Sequence, residues 1–382
     1  MGFQVETLAT RAELDEHASD WNDLGDRVGC PLVRHEWLAA SASAFARDGD
    51  LVVFESRDSA GRLRAGLPLV RHRIGPGTRL RLLGQEVMEP ITIGYDHPHA
   101  LAAVCTAAMD TGLPLSLPRL QAESEQTDAL AAAARRRGFP VVRPSTTQTH
   151  ATVLGSDFAA FEKAMTSRQG SIIRRRRKKL GDEHGEVVFE ALSPDEASVE
   201  TTLADLFRVE AAGWKAREGT SMLHDAAMGA FVREYARLTA RTGLLRIFNL
   251  RVAGQVVACQ MVVEHADRLW GIKLGTDEAF YKYGVGVMVT HDIMRWATER
   301  RLKTFEHLGA AEEYQRRWPL ETRQQNTFHF YPVSASGGVA SPATPWPSCA
   351  AAPASAPPPG PLQRRRSRRP KPYREHVTRR HS

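Results

Sequence analysis

The sequence predicts a mixed α/β (α+β) fold: a mostly antiparallel sheet flanked by helices, ending in a disordered C-terminal tail. Three observations carry this. Strand-like runs at 244–251, 255–264 and 268–274 are separated by the tight turns Ala253-Gly254 and Ala266-Asp267, the pattern of an antiparallel meander. A glycine loop, Gly284-Val285-Gly286, then opens an amphipathic run over 287–300. From Ser334 onward the chain turns to Pro, Ala, Ser and Arg without apolar periodicity. Such a segment cannot bury enough surface to offset the entropy of ordering it.

The remaining elements follow in order. Residues 3–8 read as a strand, and 12–24 as a helix with Leu14, Trp21 and Leu24 on one side. Runs at 51–55 and 63–70 form a hairpin closed by Asp58-Ser59-Ala60-Gly61, and 79–83 adds a strand after Gly75-Pro76-Gly77. Helices at 99–109 and 127–137 flank 114–120. Residues 141–153 carry Pro, Ser, Thr and Gln and read as a junction. A helix at 157–166, a basic segment at 168–180 and a strand at 187–191 come next. Helices at 197–214 and 228–242 follow from the spacing of Leu203, Leu206 and Val209, then of Phe231, Tyr235 and Leu238. Beyond the glycine loop and its helix lie a strand at 303–308, a short helix at 311–318 and a last strand at 326–331. The expected organisation is 1–150, 151–332 and a tail at 333–382.

At 382 residues, 42% hydrophobic and 25% charged, the chain can bury a sizeable core without disulfides. Cys30, Cys105, Cys259 and Cys349 are widely spaced and form no CxxC pair, so no zinc or redox motif is present and no metal is expected. No apolar run approaches the ~18 residues of a membrane helix, and the start lacks a basic region before an apolar stretch. A cytoplasmic protein is the expectation. The net charge of +7 is local: nine basic residues and one acid lie from Ser334 on, which leaves the body at −1. The high pI therefore does not mark the body as a nucleic-acid binder.

The glycine loop is the segment with the clearest chemistry. Glycine lets backbone approach a ligand, and the unpaired N–H groups of a first helical turn favour an anion. A pyrophosphate at this junction needs no basic side chain, with Lys282 at hand to assist. Taken alone, a Gly-x-Gly before a helix is also simply a turn.

Three antiparallel strands, a glycine loop, a helix, a strand, a short helix and a final strand resemble the GNAT acetyltransferase core. More closely, the chain is similar to the bacterial branch of CelD/BcsL-like acetyltransferase-domain proteins, related to the FemABX peptidyltransferases. The resemblance rests on Ser171-Ile172-Ile173-Arg174-Arg175-Arg176-Arg177-Lys178-Lys179-Leu180, Gly213-Trp214-Lys215, Leu250-Arg251-Val252-Ala253-Gly254-Gln255-Val256-Val257-Ala258, Trp270-Gly271-Ile272-Lys273 and His307-Leu308-Gly309-Ala310-Ala311-Glu312-Glu313-Tyr314. His35-Glu36-Trp37-Leu38 and Gly66-Leu67-Pro68-Leu69 give a weaker echo in the first half. It implies tandem GNAT-like modules, a degenerate one over 1–150 and an acyltransferase module over 151–332. It also implies acetyl-CoA or another acyl-CoA as co-substrate, held by Tyr281, Lys282, Gly284, Val285 and Gly286. Tyr281 stands where the general GNAT loop carries Arg or Gln.

Acyl transfer to an amine needs a deprotonated nucleophile, a stabilised oxyanion and a proton for the leaving thiolate. Backbone N–H groups near the end of 268–274 suit the oxyanion. Glu306 is the first choice for a general base or amine-orienting group; its other reading is a carboxylate holding a nearby Arg or Lys. Tyr314 stands where many GNAT enzymes place a phenol that protonates the thiolate; its other reading is an aromatic anchor beside Trp318. Trp214, Lys215 and Lys273 are candidates to border the acceptor, an amine of a small molecule or of a cell-envelope, polysaccharide or natural-product precursor. The run from Arg174 to Lys179 rings a helix with charge, which suits either tRNA or anionic lipid, or an ordinary solvated face. Two alternatives stay open: an aminoacyl-tRNA-dependent peptidyltransferase and a catalytically silent interaction module.

Overall fold

The computed structural model describes residues 2–332 except 48, 75–76, 91, 167 and 214–220. The expected tail at 333–382 lies outside the described residues. The first half comprises β1 (Gln4–Leu8), α1 (Arg11–Glu16), α2 (Ala18–Val28), α3 (His35–Phe45), β2 (Leu51–Arg57), β3 (Leu63–Ile74), β4 (Gly77–Leu82), β5 (Gly94–Tyr95), α4 (Pro98–Asp110), β6 (Leu115–Gln121), α5 (Glu125–Arg136) and β7 (Val141–Val153). The second comprises α6 (Phe158–Ala164), α7 (Gln169–His184), β8 (Val187–Leu192), α8 (Val199–Ala211), α9 (Ala226–Arg241), β9 (Leu245–Val252), β10 (Gln255–His265), β11 (Arg268–Thr276), α10 (Val285–Glu299), β12 (Thr304–Glu306) and β13 (Leu320–Phe330).

The expected first helix is two. His17 ends α1 and begins α2, and its imidazole turns inward, 2.9 Å from the buried Glu55 carboxylate. Helix α3 is an addition to the expected elements. Residues 36–42 are all buried, so the helix lacks the polar face that makes a helical period visible. Its Trp37 meets Phe231 and Tyr235 of α9 edge-on at 5.0 and 5.2 Å, which welds the first half's helices to the second's.

All strands join one sheet in the order β1-β2-β3-β4-β6-β13-β7-β12-β11-β10-β9-β8, with β5 paired to β3. Two pairs are parallel, β4 with β6 and β11 with β12; the rest are antiparallel. The junction expected at 141–153 is instead the thirteen-residue strand β7. It runs through the expected 150/151 boundary and pairs with β12 on one side and β13 on the other. β13 starts at Leu320 rather than 326 and inserts between β6 and β7, so the last strand is bonded into the first half's ladder. Threonine suits a strand whose polar side chains find partners across it. Thr146 pairs with Asn326 at 2.9 Å, and Gln325 donates to Thr149 at 3.2 Å.

In the second half, α8 and α9 cover one face of the sheet. The other face is covered by α10, whose Met288, Val289, Ile293 and Met294 pack with Leu250, Val257, Leu269 and Phe305. The parallel pair β11–β12 thereby lies between two cores. No helix among the described residues is long and apolar enough to cross a membrane.

Candidate donor site at the parting of two strands

β11 and β12 pair only at Arg268–Thr304, Leu269–Phe305 and Trp270–Glu306. There β12 ends, while β11 runs on to Thr276 along β10. At the same point β11 carries an extra residue: Gly271 opposes Val262 and Lys273 opposes Met261, which leaves Ile272 as the bulge. A bulge frees backbone groups from the ladder and bends the strand. From the bulge to Thr276, a run of about 13 Å at strand rise, no described strand pairs with that edge of β11.

That edge leads into the glycine turn. Residues Glu278–Tyr283 form a 3-10 turn, and α10 begins at Val285, two residues earlier than expected. Gly284 caps it in the left-handed region (φ 74°), where a side chain is strained. No side chain caps α10, so its first amides point out of the turn. Gly286 lies against the end of β11: a Cβ there would stand 3.0 Å from Thr276 Cγ2 and 3.7 Å from Leu274 Cδ2.

The turn is bolted to α7. The buried Tyr283 hydroxyl donates to Glu183, and His184 Nε2 lies 2.8 Å from the same oxygen. Lys282 is exposed, sits 4.8 Å over the Tyr283 ring and pairs with Glu183 at 3.7 Å. Tyr281 is half-buried, with its hydroxyl 3.0 Å from where a Cβ on Gly213 would stand. Lys273 is half-buried just past the bulge. Trp214 and Lys215, which follow Gly213, lie outside the described residues.

The basic run occupies α7. Arg174 pairs with Glu162 at 2.8 Å, Arg177 with Asp292 at 2.5 Å, Lys178 with Asp182 at 2.9 Å and Lys179 with Glu183 at 3.6 Å. Arg176 has no acid partner among the described residues, and its Nη1 reaches to 3.1 Å of where a Gly284 Cβ would be.

Glu306 ends β12 and is buried. Arg323 Nη1 donates to its Oε2 at 2.8 Å; Arg323 Nη2 and Arg268 Nη1 (both 3.4 Å) and Thr304 Oγ1 (3.1 Å) donate to Oε1. The carboxylate is therefore held by two arginines, and Oε2 keeps a lone pair for one further donor. Tyr314 belongs to a 3-10 turn, Glu313–Arg317, in place of the expected helix at 311–318. Burial, with the Glu312 charge beside it, pushes its phenol up to about 12. At neutral pH the phenol keeps its proton.

Behind β12 the buried His150 Nδ1 lies 2.9 Å from Gln315 Oε1, and His307 Nε2 lies 2.7 Å from Thr152 Oγ1. Burial, then the nearness of His150, pushes His307 down to about 3 from an ordinary 6.5. A depressed folded pKa stabilises the fold above the unfolded value and is lost as pH falls through the folded one. Urea midpoints should therefore fall from pH 6.5 toward pH 3, and His307→Gln should flatten part of that slope. An unchanged slope in the variant would show that this ring does not titrate on unfolding.

Of the sequence-predicted residues, the structure brings Tyr281, Lys282, Gly284, Val285 and Gly286 together in one turn. It sets Glu306 where β12 stops and Tyr314 in the turn preceding β13. Sequence reasoning missed Arg323, Glu183 and His184, each of which meets the site only through tertiary packing, and Arg317, which donates to the Tyr314 carbonyl three residues back. Arg176 was noticed solely as one charge in a run.

Residues 167–316 match the acetyltransferase (GNAT) domain family, so the parted strands, the glycine turn and Glu306 and Tyr314 all fall inside the match. This segment belongs to the GNAT superfamily. The whole fold is shared with FemX, at 10% identity and a TM-score of 0.55, covering 86% of this chain and 97% of that one. It is likewise similar to L-PGS from Bacillus licheniformis (12%, TM-score 0.51, 81% and 90%) and to a conserved protein of unknown function from Bacteroides thetaiotaomicron VPI-5482 (11%, 0.50, 85% and 99%). No curated protein matches the chain.

Proposed function

We propose that the chain is an N-acyltransferase that moves an acyl group, acetyl in the simplest case, from acyl-CoA to an amine. The acceptor is a small molecule or a cell-envelope, polysaccharide or natural-product precursor. One observation carries this reading: β11 leaves β12 at a bulge and then runs as an open edge into an uncapped helix N-terminus, inside the GNAT segment. An extended pantetheine arm matches such an edge, with amide groups to exchange for the missing ladder bonds, and the α10 amides suit a pyrophosphate.

Chemistry follows from that pose. The thioester carbonyl lies at the bulge, where freed backbone N–H groups receive the oxyanion. The amine is oriented by Glu306 Oε2 and attacks the carbonyl carbon. The C–S bond breaks as the tetrahedral intermediate collapses, the thiolate takes its proton from Tyr314, and the phenolate is restored by the proton that the acylated nitrogen sheds. Lys273, just past the bulge, borders the acceptor in this reading.

Acetyl-CoA at about 100 times its Kd should stabilise the protein by about 2.7 kcal/mol, read as a rise in unfolding temperature. Free thiol should appear only when an amine is supplied. No stabilisation by any of acetyl-, succinyl- or long-chain acyl-CoA sinks the reading. The aminoacyl-tRNA alternative calls on the cations of α7, and four of those six are already matched to acids.

A further inference from the structure

The loop that joins Glu306 to the turn of Tyr314 has no regular structure of its own, and its shape is imposed from outside. Leaving β12, it passes through Leu308 and Gly309, both at φ 57° in the left-handed region. A non-glycine residue held there costs free energy and persists only where its surroundings over-determine it. Here they do. His307 N–H donates to the His150 carbonyl at 3.0 Å and Ala311 N–H to the Gln148 carbonyl at 2.7 Å, so the loop still follows β7 after β12 has ended. Between those two bonds the Glu89 carboxylate, from the first half, accepts from Gly309 N–H at 2.5 Å.

The last hold is made by side chains. Gln315 is buried in the 3-10 turn that carries Tyr314, and its Oε1 accepts from Glu312 N–H at 3.1 Å. That bond fixes which end of the amide is oxygen. His150 Nδ1, 2.9 Å from the same atom, must therefore donate, and both lone pairs of Oε1 are in use. His150 is itself buried on β7, between β13 and β12, so the turn is pinned to the interior of the sheet. Neighbouring side chains in a 3-10 turn stand about 120° apart, so a pinned Gln315 sets the direction in which Tyr314 leaves the turn.

We infer that His150 is a positioning residue for acyl transfer: through the Gln315 carbonyl it holds the Tyr314 phenol at the point where the thiolate leaves. This rests on the acyl-CoA reading above and adds to it a residue outside the matched segment 167–316. Glu89 lies outside that segment as well. The loop that delivers the phenol is thus shaped by parts of the chain that the GNAT segment does not contain.

The test uses the full chain. Thiol release from acetyl-CoA is followed with excess methylamine, a primary amine small enough to enter any amine site, and CoA binding is measured by calorimetry. His150→Leu should lower kcat about tenfold or more with CoA affinity unchanged, since a misplacement of about 1 Å can cost about a hundredfold. His150→Asn, whose Nδ2 takes the place of Nδ1, should restore most of the rate. Gln315→Met cuts the same bond from the turn side and should match His150→Leu; it carries the test if His150→Leu fails to fold. Added to Tyr314→Phe, His150→Leu should cost less than about twofold more, because residues that act as a unit are not additive. A full rate in both His150→Leu and Gln315→Met overturns the inference. So does an equal loss with and without the phenol, or a loss of CoA affinity that matches the loss of rate; either marks His150 as a support of the fold alone. A full rate in Tyr314→Phe takes the phenol out of the chemistry, and the role of His150 with it. A wild type that leaves acetyl-CoA intact removes the acyl-transfer reading itself.

Discussion

Leucine at Gly286 is expected to abolish stabilisation by acyl-CoA while the chain stays folded. Gly286 is the second residue of α10 and faces the end of β11. A methyl group there would stand 3.0 Å from Thr276 Cγ2, so alanine needs a shift of a few tenths of an ångström and should keep part of the binding. Leucine must either push α10 away from the strand or occupy the mouth of the open edge. Overpacking of this kind costs about 1–3 kcal/mol, a modest fraction of what a chain of this size can lose before unfolding. The ligand suffers more, because the first α10 amides and the strand edge must present their N–H groups in one fixed geometry. The measurement is the unfolding temperature with and without acetyl-CoA. A wild-type ligand shift in Gly286→Leu would mean that the donor does not use this turn.

What could be read in advance follows from which signals are local. The meander β9-β10-β11 announces itself through two-residue turns, and Ala253, Ala266 and Asp267 indeed adopt positive φ there. The glycine turn is equally local. The pairing of β7 with β13 is not: their partners lie 168 to 189 residues apart, and neither strand shows a clean apolar alternation, because both run through a polar middle of the sheet. Hence β7 read as a junction and β13 was shortened. α3 escaped notice for the opposite reason, being buried all round. At the site, Glu306 is legible as an acid in a strand near the cleft, but Arg323 joins it only because β13 crosses into the centre of the sheet. Arg176 lies on α7, far from the glycine turn along the chain, and only the fold brings it to Gly284. Charge complementarity between distant segments leaves no periodic mark on a sequence.

Glu306 joins fold and chemistry, and two substitutions separate its contributions. Alanine removes a buried carboxylate that satisfies Arg323 and part of Arg268. Breaking a fully buried pair costs about 3–5 kcal/mol; here both arginines are partly exposed and Arg323 keeps Glu321 at 2.9 Å, so about 2–3 kcal/mol is expected. Glutamine keeps an acceptor for one arginine and the shape of the side chain, so its cost should be about 1 kcal/mol. If Oε2 orients the amine, the charge matters to the rate far more than to the fold. Glu306→Gln should then lower kcat by about a hundredfold, within the range for positioned acid–base groups, with unchanged affinity for CoA. Urea midpoints, calorimetric CoA binding and single-turnover acetylation separate the outcomes. A Gln variant with full kcat would leave Glu306 as the strut between β12 and β13 and nothing more. A Gln variant as unstable as Ala would show that the ion pair with Arg323, rather than the free lone pair on Oε2, is what the site requires.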